Sequence, residues 1–434
     1  MIKFIKLFIL ILFITNCSLD KKSGLWNKQD RVKIEEKLVS KSLFKEDKKH
    51  NKEFNTNVRV QLKSKLAKNN LEKSLVNNIG RLDFDGNLKK IAKFNFKKID
   101  NFNKVEPEIA FEKKNIIFFD NKGSIIKFSE NSKVIWKKNF YTRSEKKLKP
   151  VLNILSYKNY LIVTDNLAKY YLLDIKTGDL LWMKNNIAPF NSQIKVYKDK
   201  FFATDFENVL RCFLIKSGEE IWKFKTDTSF IKSQKKLSLV VSDEKIYFNN
   251  SIGDISAVDI ESGKPIWQTP TQDSSIYESS FYLKTSELIF NNKRILFSNN
   301  KNEFYSIDSK TGTLYWKQKA NSSVRPTITD NLVFTVTEEG MLIIIEEESG
   351  NIVRITDVFD IFKHRKRKNI KPVGFVVGTN NIYLTTDNGK LITIDIITGK
   401  SKSILKIDND IISKPFIFNN NLFIVKDNAI IKLD

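Results

Sequence analysis

The side chains able to do covalent or acid–base chemistry are few in this chain and poorly grouped. It carries two histidines, His50 and His364, and two cysteines, Cys17 and Cys212. A hydrolytic triad needs a nucleophile, a histidine base and a carboxylate to orient that base. A zinc site needs His, Cys and carboxylates at short, fixed spacings. Neither histidine has such company. His364 sits inside a basic run, Lys363-His-Arg-Lys-Arg-Lys368, and His50 lies among lysines near the N-terminal end. The acidic run Glu346-Glu-Glu348 is followed at once by Ser349-Gly350, which makes it a solvated turn rather than an acid pair. No Gly-rich phosphate loop is present. No catalytic, cofactor-binding or metal-binding residue is therefore expected, and no cofactor.

What the chain does have is a phrase that returns. Asp174-Ile-Lys-Thr177-Gly178-Asp-Leu-Leu-Trp182 is its cleanest form, repeated at Asp259–Trp267 and Asp308–Trp316. Worn copies run from Leu214 to Trp222, Glu346 to Arg354 and Asp395 to Ser403, with earlier traces at Asn131–Trp136 and Asp85–Lys90. The markers Gly86, Ser132, Gly178, Gly218, Gly263, Gly312, Gly350 and Gly399 follow one another at roughly 38 to 49 residues, the period of four-stranded propeller blades. A residue that recurs in every repeat builds the repeat. Gly supplies a positive φ in a tight turn, and Trp on the strand beyond it buries a large aromatic surface against the neighbouring blade.

Two further series share the period. Short apolar runs such as Ile116–Phe119, Leu161–Val163, Ile246–Phe248 and Leu422–Val425 read as buried strands. Pro107, Pro150, Pro189, Pro326, Pro372 and Pro415 stand just upstream, where proline can open an innermost strand. The last copy stops at Asp434 without its turn and outer strand, and the first copy, from Asp85, has little else. The prediction is an all-β chain: an eight-bladed β-propeller of four-stranded antiparallel blades, closed by an N-terminal strand near residues 82–96 that completes the last blade. Closure removes the sheet edges that an open array leaves exposed.

Residues 1–17 stand apart. Lys3 and Lys6 precede a short apolar stretch, Leu7–Ile14, which is followed by Thr15-Asn16-Cys17. Such a run has the length of a secretory core rather than of a membrane span. It resembles a bacterial lipoprotein signal, with Asn16 departing from the small residue usual before the cysteine. The resemblance implies lipidation at Cys17, and Ser18 in place of Asp implies the outer membrane. Residues 18–78, rich in Lys, Glu and Asn, read as a partly disordered tether, with weak helical patterns at Arg31–Phe44 and Val58–Val76. The propeller is assigned to 79–434. Cys212, without an intramolecular partner, reads as a small buried hydrophobe. The net charge of +24 comes with an excess of Lys, Asn, Ile and Phe that compositional bias produces by itself. An exported chain has no access to nucleic acid, so no nucleic-acid partner is expected. The basic run 363–368 reads as a solvated loop or a contact for an acidic partner or lipid headgroups.

The phrase resembles the repeat of the pyrroloquinoline-quinone propellers. One branch holds the quinone and a calcium ion, commonly beside a disulfide between adjacent cysteines. This chain has no adjacent cysteines. With its lipoprotein signal, tether, blade count and end at the closing blade, it looks like the other branch, the BamB family of non-catalytic outer-membrane assembly lipoproteins. That resemblance implies a lipid-anchored scaffold facing the periplasm of a Gram-negative cell. Its partner would be the periplasmic domains of the barrel-insertion protein, and no small-molecule substrate is implied. The corresponding loops precede the inner strands of the fourth and fifth blades, and the residues expected to bind the partner are Phe230, Ile231, Lys232, Asp273 and Tyr277. A ligand-binding propeller at the cell surface or in the periplasm, and a quinone-dependent dehydrogenase, are the alternatives.

Overall fold

Each apolar run becomes the second strand of a four-stranded sheet, because β-branched and aromatic residues suit a surface buried on both faces. The computed structural model describes residues 50, 52–64, 66, 80–228, 233, 235–242, 244–271, 282–291 and 293–434. Among these, eight four-stranded sheets form the blades of one propeller. The first blade runs through Ala110–Glu112, Asn115–Phe119, Ile125–Phe128 and Val134–Lys138. The next six repeat the order inner, second, third, outer. Prolines open the inner strands as expected: Pro372 is the first residue of one, and Pro326 and Pro415 immediately precede two others.

The last blade is completed from the other end of the chain. Phe416–Phe418, Asn421–Lys426 and Ala429–Leu433 supply three strands, and Lys90–Asn95 pairs antiparallel outside them, Asn95 opposite Ala429. The two ends are clasped further by Leu88 N donating to Asp434 O at 2.8 Å and Asp434 N donating to Lys89 O at 3.1 Å. Gly86 lies so close that a Cβ would fall 2.0 Å from the Asp434 carbonyl. The ring is shut by the N-terminal strand that the incomplete copies called for.

Second and third strands are buried almost throughout, as in Tyr160–Asp165 and Val209–Leu214, whereas outer strands are largely exposed. The apolar core is consequently divided into wedges between neighbouring blades rather than gathered in one centre. In one such wedge Tyr170 of the second blade packs on Phe201 and Phe213 of the third. Cys212 is fully buried in another, its thiol pushed up to about 12 by burial.

A bulge at one fixed place orients the tryptophans. In the pairing of third with outer strand, Leu172 faces Trp182 but Leu173 faces Leu180, so Leu181 is skipped. The same slip skips Ile135, Ile221, Ile266 and Tyr315. The skipped residue joins its predecessor on the outer surface, and the next one, Trp, turns toward the following blade. There it lies on the glycine of that blade's turn: Trp182 over Gly218, Trp222 over Gly263, Trp267 over Gly312 and Trp316 over Gly350. These indoles also donate to carbonyls of the same turn, at 3.0 Å to Ile215, 3.2 Å to Ile260, 3.2 Å to Ser309 and 2.9 Å to Glu347. The phrase's Asp holds the turn itself. Asp308 Oδ1 accepts from the backbone N–H of Lys310 and Thr311, both at 2.8 Å, and from the Thr311 hydroxyl at 3.0 Å.

The sixth blade departs from this rule. Arg354 occupies the tryptophan position over Gly399, fully buried, and donates to Ile396 O at 2.9 Å as an indole would. Its guanidinium also donates to Ile397 O and, at 2.9 Å, to Val58 O. Val58 belongs to an N-terminal segment that lies along the seam of blades six and seven. Phe54 exchanges backbone hydrogen bonds with Ile355 at 3.0 and 2.9 Å, Val60 N donates to Ile397 O at 3.1 Å, and Lys63 N donates to Asp330 at 2.9 Å. Val60 is buried in the wedge between those blades. The segment falls within the stretch read as a tether, and between residues 58 and 64 it contains no helix.

Gly263→Ala tests the interlock. A Cβ there would meet the Trp222 ring at 2.5 Å, at a φ of +72°, so the variant is expected to lose about 2–4 kcal/mol in denaturant unfolding. Arg354→Ala tests the docked segment. Amide exchange at Phe54 and Val60 is expected to accelerate while Leu422–Val425 stay protected; unchanged exchange at Phe54 would show that Arg354 does not hold the segment.

Candidate partner-binding face

Because successive strands of a blade run in opposite directions, the two ends of the propeller differ in kind. Connections from each outer strand to the next inner strand emerge at one end, and the Thr/Ser-Gly turns lie at the other. The connection end carries the loops that precede the inner strands of the fourth and fifth blades, Leu239–Val241 and Ile289–Phe290. Phe230, Ile231, Lys232, Asp273 and Tyr277, the expected binding residues, lie outside the described residues, as does Cys17. The feet of the two loops are described, and they are tied together. Ser233 Oγ donates to Leu283 O at 2.6 Å and Leu288 N donates to Ser238 Oγ at 3.0 Å, while Ser233 N is held on its own blade by Ser251 O at 3.3 Å. Tyr282, at one foot, is 75% exposed.

Both feet border a cavity of about 680 Å³ at the mouth of the propeller axis, lined by the starts of the inner strands. Several charged side chains at this mouth form ion pairs, those of Lys235, Lys236 and Lys414 across the axis and that of Arg325 between neighbouring blades. Lys235 meets Glu106 at 3.1 Å, Lys236 meets Glu108 at 3.4 Å, and Glu287 is held by Arg325 at 3.4 Å and by Lys414. Burial would raise the Glu287 carboxyl, but Lys414 and Arg325 outweigh it and keep it far below the carboxylate range. Glu108 is likewise held low, against burial, by Lys236 and Lys414. Burial, followed by the nearby Arg325, pushes the Lys195 ammonium down to about 7. Among the described residues no group of three or more His, Cys, Asp or Glu is placed to hold a metal ion. No described helix is long and apolar enough to cross a membrane.

The family described as outer membrane protein assembly factor BamB matches residues 121–356, more than half of the chain. The chain belongs to the BamB family. Solved structures agree on the fold: BamB from Moraxella catarrhalis is 14% identical, with a TM-score of 0.62 over 80% of this chain and 99% of that one. The quinohemoprotein alcohol dehydrogenase from Comamonas testosteroni gives the same TM-score at 11% identity, over 81% of this chain and 78% of that one. A computationally designed protein, Ika8, is also similar, with a TM-score of 0.60 at 12% identity, over 78% of this chain and 99% of that one. At these identities the likenesses establish the propeller and nothing finer. No curated protein sequence matches the chain.

The axial ion pairs of this BamB-family propeller escaped the sequence reading, although a signal was present. Glu106 and Glu108 flank Pro107, Arg325 precedes Pro326 and Lys414 precedes Pro415. A charge beside the proline that opens an inner strand is placed at the mouth of the axis. Glu287→Gln removes the anion that Arg325 and Lys414 both contact, leaving them only the more distant Glu108 in a largely buried site, and is expected to cost about 3 kcal/mol at pH 7. The Glu287 carboxyl is depressed in the folded state, so its contribution is present above the ordinary carboxylate value of about 4.3 and is lost as pH falls below it. Urea unfolding of both proteins across that range would show the gap closing in acid.

Proposed function

We propose that this protein is a non-catalytic scaffold that assists assembly of β-barrel proteins into an outer membrane, anchored by a lipid on Cys17 and facing the periplasm. Its partner is the periplasmic part of the barrel-insertion protein, met by the loops of blades four and five through Phe230, Ile231, Lys232, Asp273 and Tyr277. The observation that carries this reading is the union of two features in a BamB-family propeller. The feet of these two loops are fastened side by side at one end, and the axis beneath them is crossed by ion pairs. Loops whose feet are fastened lose less entropy on binding than independent ones, and exposed aromatic and apolar residues dominate interface energies.

The dehydrogenase reading fares worse on the same residues. A calcium–quinone pair at the axis needs carboxylates free to ligate the ion, and Glu106, Glu108 and Glu287 are each engaged by Lys or Arg. The cavity's other carboxylates are Glu338, 3.6 Å from Lys371, and Asp387, which accepts from the Lys371 backbone N–H at 2.9 Å; among the described residues no three His, Cys, Asp or Glu gather there to hold an ion, which weighs against that group.

Phe230→Ala combined with Lys232→Glu should cut co-purification of the barrel-insertion protein at least about tenfold, equivalent to the ~1.4 kcal/mol that one interface anchor commonly supplies. Undiminished capture with a folded variant would move the interface elsewhere.

A further inference from the structure

The basic run Lys363–Lys368 is not among the residues assigned to the proposed partner contact. It occupies the connection from blade six to blade seven, at the same end of the propeller as the loops of blades four and five. It forms a short helix, His364–Arg367, and leaves Lys363, Arg365, Lys366 and Lys368 exposed. Arg367 turns back into the fold, donating to Asp357 at 2.7 Å and to Phe362 O at 3.2 Å. Among the described residues the exposed four have no ion-pair partner. The positive field extends onto blade seven, where burial and then the neighbouring Lys406 and Lys366 push the Lys390 ammonium down.

The position of the run is as telling as its charge. Asp357, which anchors Arg367, also donates its backbone N–H to Glu53 at 3.1 Å. Glu53 lies in the segment along the seam of blades six and seven, so this part of the N-terminal chain passes beside the basic helix, while upstream of it His50 is half-buried near Lys319 of blade five. The proposed lipid anchor at Cys17 lies only 36 residues before Glu53 in the sequence. A lipid on Cys17 would hold this flank within that length of chain from the bilayer.

We propose that the exposed face of Lys363–Lys368, with Lys390 and Lys406 behind it, is a contact surface for anionic lipid headgroups of the membrane in which this protein is anchored. The proposal rests on the lipid-anchor reading of Cys17. A cluster of four or more Lys and Arg close to a bilayer is drawn to anionic lipid within about 10 Å, the screening length at 0.1 M salt. Bound there, the flank of blades six and seven lies on the membrane, and the loops of blades four and five project from the same end toward a membrane-embedded partner.

The test uses the full-length product purified from membranes and reconstituted into vesicles of phosphatidylcholine alone or enriched in phosphatidylglycerol. Vesicle flotation reports anchoring. Labelling with a water-soluble amine reagent, read residue by residue, reports contact, with Lys216 and Lys310 at the opposite end as references. The expected result is labelling of Lys363, Lys366 and Lys368 at least about threefold weaker on anionic vesicles, restored by high salt. In Arg365→Glu with Lys366→Glu, the protection of Lys363 and Lys368 should vanish while the references are unchanged. Flotation with equal labelling on both vesicle types overturns the contact and leaves the anchor standing. Protection that appears only when an acidic partner protein is added also overturns it. Failure to float removes the anchor and the proposal together.

Discussion

An indole seated on the glycine turn of the next blade is the contact on which this propeller depends. It needs three things at once. A bulge in the outer strand swings the Trp inward, a residue without Cβ in a left-handed turn leaves room for the ring, and a backbone carbonyl accepts the indole N–H. Trp222 with Gly263 and Ile260 O meets all three. Burial of such a ring is worth on the order of 2–3 kcal/mol, and it is won between blades rather than within them. Each blade thus stabilises its neighbour, and the last must meet the first. The ring is completed by Lys90–Asn95 pairing with the C-terminal strand, a closure that spans nearly the whole chain.

The same interlock explains where the fold can afford to vary. The Thr/Ser-Gly end is committed to masonry, with its carboxylates and hydroxyls bound to their own turns. The connection end is under no such constraint. It carries the fastened feet of the loops of blades four and five, the ion-paired mouth of the axis and the basic helix between blades six and seven. Arg354 links the two regimes. It fills the indole's place over Gly399 and keeps the indole's hydrogen bond, and its remaining N–H groups reach the N-terminal segment. Exchanging Trp for Arg at one blade converts an inter-blade contact into a binding site for the chain's own tail.

Much of this was legible in the amino-acid order because it repeats. Gly178, Gly263 and Gly312 with their tryptophans announced the blades, the apolar runs announced the second strands, and the complementary ends announced the closure. What did not repeat was hidden. Arg354 read only as a lost Trp, since nothing in the sequence near it points to Val58, some three hundred residues earlier. Segment 53–64 read as tether because its docking uses backbone groups, which carry no sequence signature, and one buried valine. The pairing of Glu287 with Lys414 is a contact across the axis between blades far apart in the chain, beyond the reach of local pattern.

The proposed function requires the connection end to meet the barrel-insertion protein. A photo-crosslinking residue placed at Tyr282, exposed at the foot of the blade-five loop, and separately at Lys310 in a Thr-Gly turn at the opposite end, tests it in intact membranes. Capture of the barrel-insertion protein from Tyr282 and not from Lys310 is the predicted result. Capture from Lys310 alone, or its absence from both, would contradict it.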